Sequence, residues 1–267
     1  MIEIRTASEN DINSIKELWK SCFDDTDEAI DLFLKRNLKH AYLAIDGEVM
    51  SMLFMLPTKV NGRTACYLYA AATAEQYRGL GLMHGLIQSA LASIGAELCV
   101  TLPASDELYD YYKKRGFTEL TSNTARLTRD EVVSLSKPYE VQELVVGGYC
   151  GIRNRVLKDN FLFWNNEHIE LALEYNALYG AKIIRSNYGY AIAEVEGDTC
   201  YVREFICDDK NAPYLLTDLL SEVESESFVF HLSPNQKFTE SKTERFAMVK
   251  YVTKYRPDSI YTGLTLD

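Results

Sequence analysis

The stretch Gln76-Tyr77-Arg78-Gly79-Leu80-Gly81-Leu82 joins two apolar runs of different period, and its reading decides the fold. Before it, residues 66–73 read as a strand. After it, Leu82, Leu86, Ile87, Ala90, Leu91 and Ile94 recur at helical spacing. A loop that opens a helix offers unpaired N–H groups and partial positive charge, a setting that holds an anion without a dedicated lysine. Gly79 and Gly81 permit positive φ, so successive N–H groups can converge on one phosphate, and Arg78 adds a charge-assisted donor. The segment reads as a diphosphate loop, with a glycine turn that merely starts a helix as the plainer alternative.

Two better-known phosphate loops do not fit. The lysine and hydroxyl of a P-loop are missing, and the third glycine of a dinucleotide fingerprint falls on His84. The strand ends in Ala70, Ala71 and Ala72, which are poor strand formers with little to pack. Small side chains there leave room for a thin, extended ligand hydrogen-bonded to main chain; a tight helix crossing is the other reading.

A second pattern follows one strand later. Residues 97–102 read as an apolar strand, and Tyr109, Tyr111, Tyr112, Lys113, Lys114, Arg115, Gly116 and Phe117 come after it. In this order the two segments resemble the GNAT superfamily of acyl-CoA-dependent N-acetyltransferases. Its Gln/Arg-x-x-Gly-x-Gly/Ala loop is matched by Gln76, Gly79 and Gly81, and its Tyr-x-x-x-Gly-Phe ending by Tyr112, Gly116 and Phe117. The resemblance covers roughly the first half of the chain and is similar in flavour to two-domain bacterial proteins of the enhanced-intracellular-survival type.

That resemblance implies an α/β (α+β) fold, a mixed central sheet flanked by helices, and acetyl-CoA as acyl donor. It implies that Arg78, Gly79, Leu80, Gly81 and Leu82 hold the coenzyme A diphosphate and that Ala71, Ala72 and Thr73 line the pantetheine arm. Ala72 or its neighbour is expected to offer a main-chain N–H to the acyl oxygen. By position Tyr112 lies near the sulfur, as the acid that protonates the departing thiolate. A packed aromatic sharing a helical face with Leu108 is the competing reading. No residue is assigned as general base: residues 67–73 carry no carboxylate, and the terminal carboxylate used by some relatives is not transferred to Asp267.

A chain of 267 residues suits two domains. The expected division is an acyl-CoA-binding domain over 1–127, a linker over 128–140 where periodicity weakens ahead of and around Pro138, and a second domain over 141–267. Thr64-Ala65-Cys66-Tyr67 is echoed by Asp198-Thr199-Cys200-Tyr201, each opening a strand before a helix, which predicts a diverged copy of the first half. Its turn, Asp208-Asp209-Lys210-Asn211-Ala212, has no glycine and two acids where a diphosphate would sit, so this copy is expected not to bind coenzyme A. Phe161, Phe163 and Trp164 are expected to pack in an interdomain core, with an acceptor pocket as the other reading.

A formal net charge of −11 argues against nucleic acid as a partner and favours cationic substrates. No apolar stretch reaches the length of a membrane span, and residues 1–11 carry charges where a signal peptide has an apolar core, so a cytoplasmic protein with no membrane partner is expected. The six cysteines form no close metal-type pair and the four histidines are scattered, so no metal is expected. The expected function is transfer of an acetyl group from acetyl-CoA to a small-molecule primary amine. A noncatalytic acyl-CoA-binding or regulatory protein and a nucleotide-binding module are the alternatives, and acceptor and oligomeric state stay open.

Overall fold

A capping box at Ser8 turns the chain from β1 (Glu3–Thr6) into α1 (Ile12–Cys22), with the Asp11 carboxylate accepting from the Ser8 amide at 2.7 Å. Arg5 grips the same carboxylate with both Nη atoms at 2.8 Å, which holds its pKa well below the usual carboxylate range. These residues open the first of two units in the computed structural model, which describes residues 1–138 and 148–266.

The first unit comprises Met1–Glu119 and Met248–Arg256. After α1 come α2 (Asp27–Asn37), capped by the Thr26 hydroxyl, then β2 (Ala41–Asp46), β3 (Glu48–Val60), β4 (Arg63–Thr73), α3 (Leu82–Ile94), β5 (Leu98–Thr101) and α4 (Asp106–Lys113). The strands lie in the order β1-β2-β3-β4-β5, antiparallel except for the parallel pair β4 and β5. Strand alternation sends successive β4 side chains to opposite faces. On one face Trp19 and Phe33 pack against Phe54 and Tyr69, with ring centroids 4.9–5.9 Å apart. On the other, Leu86, Ile87 and Ala90 of α3 share a core with Leu53, Met55, Cys66 and Leu68. Each such large apolar side chain contributes about 1.5–3 kcal/mol on burial.

The second unit comprises Leu120–Ala247 and Pro257–Asp267. Its elements are most of β6 (Thr118–Thr128), α5 (Arg129–Leu135), α6 (Tyr149–Leu157), α7 (Asn166–Leu178), β7 (Lys182–Arg185), β8 (Gly189–Glu196), β9 (Thr199–Cys207), α8 (Ala212–Glu222), β10 (Ser227–Leu232) and the first part of β11 (Lys242–Tyr251), whose residues 248–251 belong to the first unit. Strand order is β6-β10-β9-β8-β7. The run β9, 3₁₀ turn, α8, β10 repeats the run β4, 3₁₀ turn, α3, β5: in each a bulged antiparallel pair precedes the helix and a parallel strand follows it.

Each unit is closed by a strand that follows the other's parallel pair in sequence. Residues 248–251, after β10, pair antiparallel with β5, whereas residues 123–128, after β5, pair antiparallel with β10. The division expected at 128–140 is therefore corrected. The first unit ends at Glu119 and regains Met248–Arg256, and the expected linker holds a helix, α5, nucleated by a Thr128–Glu131 capping box. Residues 139–147 and Asp267 lie outside the described residues.

The core of the second unit is built around a buried charge pair. Arg153 Nε lies 3.0 Å from Glu204 Oε1, both side chains fully inaccessible, and Arg153 also donates to the Leu162 and Gly263 carbonyls. The Tyr190 hydroxyl donates to Glu204 Oε2 at 2.5 Å. With its polar atoms so matched, such a pair offsets its desolvation, and removing one partner costs about 3–5 kcal/mol. Phe161 and Trp164 are buried here, while Phe163 is exposed.

Candidate functional site

Strands β4 and β5 separate into a fork. They pair only over Ala65–Tyr67 and Leu98–Val100; one residue further on the Thr101 hydroxyl donates to the Leu68 carbonyl at 3.1 Å, a side-chain rung in place of a main-chain one. β5 ends there, but β4 runs on to Thr73. Within that stretch Met52 faces Ala72 and Phe54 faces Tyr69, which leaves Ala70 and Ala71 opposite Leu53. Ala70 has φ +46°, an uncommon conformation for a residue with a Cβ, and the bulge re-aims the strand edge.

The direction of each main-chain group follows from the ladder. The Ala74 amide donates to the Met50 carbonyl at 3.0 Å, so Ala74 and Ala72 point their main-chain groups at β3. By alternation Ala71 and Thr73 point theirs into the fork. Of the donors expected at "Ala72 or its neighbour", the neighbours have the orientation and Ala72 does not.

The loop that follows β4 makes a 3₁₀ turn over Glu75–Tyr77 and then enters α3 through two left-handed glycines, Gly79 at φ +83° and Gly81 at φ +79°. A Cβ on either would meet nothing within 4 Å, so the requirement for glycine is dihedral and not steric crowding. Gly81 is the helix N-cap and brings no capping side chain; the first helical bond runs from Gly85 to the Gly81 carbonyl at 3.1 Å. Among the described residues no acceptor meets the amides of Gly79, Leu80, Gly81 and Leu82. Leu80 and Arg78 are exposed and Leu82 is buried, so Leu82 can act only through its amide. Arg78 Nε donates to the Thr73 carbonyl at 3.2 Å, tying the loop to the strand end.

Tyr112 is buried on α4, its ring edge-on to Phe117 at 5.1 Å and to Tyr111 at 5.3 Å. Burial pushes its hydroxyl pKa well above the ordinary value, with the Thr101 hydroxyl opposing the rise. Leu108 is exposed, so the packed face of α4 is Tyr109 with Tyr112 and not Leu108 with Tyr112.

Three features escaped the sequence reading. Thr101, the apex rung, is one threonine at a strand end. Ser51 is a buried hydroxyl in an apolar run. Beside the end of β4 lies a pocket of about 350 Å³ lined by Glu17 and Ser21 of α1, Glu48 of β3, and Glu75, Gln76 and Arg78 of the loop. Its acids come from separate segments, so no local spacing announces them. The Tyr77 hydroxyl donates to Glu48 at its edge.

The equivalent fork in the second unit is filled. Beyond the last parallel pair, Val202 with Phe230, Gln236 Nε2 donates to the Phe205 carbonyl at 2.5 Å and Gln236 Oε1 accepts from the Ser233 amide. Phe238 packs on Phe205 at 5.1 Å, and Asp209 in the preceding turn accepts from the Lys237 amide at 3.0 Å. All six cysteines are free thiols, and among the described residues no group of three or more His, Cys, Asp or Glu is placed to hold a metal. Among the same residues no helix is long and apolar enough to cross a membrane.

Residues 3–120 match the family described as acetyltransferase (GNAT) domain. No curated protein matches the chain. Similar solved structures include a GCN5-related N-acetyltransferase from Anabaena variabilis ATCC 29413, with TM-score 0.72 at 17% identity over 95% of this chain and 73% of that one. A conserved protein of unknown function and probable N-acyltransferase from Enterococcus faecalis V583 gives 0.69 at 15% identity, over 94% and 72%. Eis1 from Mycobacterium abscessus gives 0.62 at 11% identity, over 94% and 74%. At these identities the likeness is one of fold.

Proposed function

We propose, for a chain whose residues 3–120 match the acetyltransferase (GNAT) domain family, that it moves an acetyl group from acetyl-CoA to a primary amine by direct attack. The observation that carries this reading is the uncapped start of α3, with two left-handed glycines, set at the open end of a fork whose edge presents Ala71 and Thr73 main-chain groups. A helix N-terminus with free amides fits a diphosphate, and an unpaired strand edge walled by alanines fits the amide-bearing pantetheine arm.

When bound, the thioester supplies the activated acyl group. The chain's own part is to orient and to move protons. Arg78 and the amides of Gly79, Leu80, Gly81 and Leu82 hold the diphosphate. The fork-facing amide at Ala71 or Thr73 stabilises negative charge on the acyl oxygen, a contribution of about 2.7–4 kcal/mol for a preorganised donor. Tyr112, kept protonated by burial, donates to the departing thiolate. Glu17, Glu48 and Glu75 give the adjoining pocket the charge that concentrates an alkylammonium, which must lose a proton before nitrogen attacks.

The test is a thiol-release assay with acetyl-CoA against a panel of polyamines, aminoglycosides and amino acids. Turnover with at least one amine supports the enzyme; tight CoA binding with no turnover across the panel favours the noncatalytic acyl-CoA-binding reading instead. A larger rise in melting temperature with ATP or NAD than with CoA would point to a nucleotide-binding module.

A further inference from the structure

The last rung of β4 is held by a hydroxyl that the proposed acyl transfer does not use. Ser51 is fully buried within the otherwise apolar run 50–56 of β3. Its Oγ lies 3.0 Å from the Ala72 carbonyl oxygen and 2.8 Å from Thr73 Oγ1, and its Cα faces that of Thr73 in the ladder. The carbonyl of the same Thr73 accepts from Arg78 Nε at 3.2 Å. Just beyond the bulge at positive φ the strand end has a partner on one side only, where the Ala72–Met52 pairing and the Ala74 amide on the Met50 carbonyl hold it.

The geometry of one peptide unit makes this consequential. In a trans peptide the carbonyl at one end and the N–H at the other point in opposite directions. Ser51 adds a second donor to the Ala72 carbonyl, which the ladder already turns toward β3, and so holds the Thr73 N–H away from β3, into the fork. The Ser51–Thr73 hydroxyl contact fixes the Thr73 side chain on the same side. Arg78 completes the restraint from the loop. The clasp therefore narrows, beyond what the ladder does, where the one fork-facing amide nearest the diphosphate loop points.

We propose that Ser51 is a positioning residue for the acyl donor: its hydroxyl aims the Thr73 amide at the pantetheine arm. The inference rests on the acyl-CoA reading of the fork. It separates the two halves of coenzyme A, because the nucleotide half is held by the loop and only the arm meets Thr73.

Calorimetry on the full-length protein with CoA and with 3′-phosphoadenosine 5′-diphosphate, which lacks the arm, tests it. In Ser51→Ala the Kd for CoA rises about three- to tenfold, the worth of one neutral hydrogen bond, while the Kd for the nucleotide half is unchanged. Thr73→Val, at a half-buried position, removes the hydroxyl partner and shows the same split if Ser51→Ala does not fold. In the double variant the two losses do not add. Equal weakening of both ligands, or no weakening of either, overturns the role of Ser51. If the unaltered protein binds neither ligand, the acyl-CoA reading itself falls, a result distinct from either of those.

Discussion

The Thr101 hydroxyl sits 3.1 Å from the Leu68 carbonyl, one step past the last main-chain pair between β4 and β5, and marks where the strands part. Both groups are buried, so removing the donor leaves a carbonyl without its partner. Thr101→Val, which keeps the shape, is expected to lower the unfolding free energy by about 1–3 kcal/mol in urea titration. Thr101→Ser restores most of the loss. A valine variant as stable as the parent would show that the rung contributes nothing.

Tyr112 keeps its proton attached, because burial lifts its pKa above the ordinary value of about 10. Tyr112→Phe is expected to lower kcat by about 10²–10⁴-fold, the range of general acid catalysis, with the Kd for CoA little changed. Since the phenol stays neutral at lower pH, parent and variant share the shape of their pH–rate profiles up to pH of about 10. Unaltered kcat in the phenylalanine variant would return Tyr112 to a packing role.

Gly79 and Gly81 are required for their dihedrals, as an added Cβ has open space. A left-handed residue with a Cβ costs about 1–2 kcal/mol, so Gly79→Ala and Gly81→Ala should each weaken CoA by about tenfold in calorimetry. Asparagine tolerates the left-handed region better than alanine, and Gly81→Asn should recover part of the loss. Equal affinities for alanine and asparagine variants would contradict a dihedral origin.

Much of this was legible because it is local. The period change around residues 76–82 and the echo of residues 64–67 in 198–201 each lie within a few residues, and strand, turn and helix formed there. β9 opens at Thr199, within the 198–201 segment read as a strand opening. What escaped depends on long-range pairing. The exchange of residues 123–128 and 248–251 has no local sign, since both segments read as ordinary strands until their partners are known. The orientation of Ala72 likewise hangs on a bulge that three identical alanines conceal, and Gln236 filling the second fork is one polar residue in a loop.

The second unit also carries two histidines that make its stability depend on pH. His168 stacks on Trp164 at 3.7 Å between ring centroids, and burial, aided by the Arg153 guanidinium, lowers its pKa to about 3. His231 stacks on Phe246 at 3.9 Å, and burial with the charge of Arg203 lowers its pKa to about 4. The unfolded chain titrates near 6.5. As pH falls below that value the unfolded state takes up protons that the folded state refuses, so stability is complete above about 6.5 and is lost on acidification toward the folded values. Each histidine adds about 1.4 kcal/mol per pH unit to the slope between pH of about 6 and 4.5. Replacing His231→Phe, which keeps a flat ring against Phe246, should reduce the slope of unfolding free energy against pH by that amount while leaving stability at pH 8 nearly unchanged. An unaltered slope would mean that His231 takes up its proton in the folded protein as readily as in the unfolded chain.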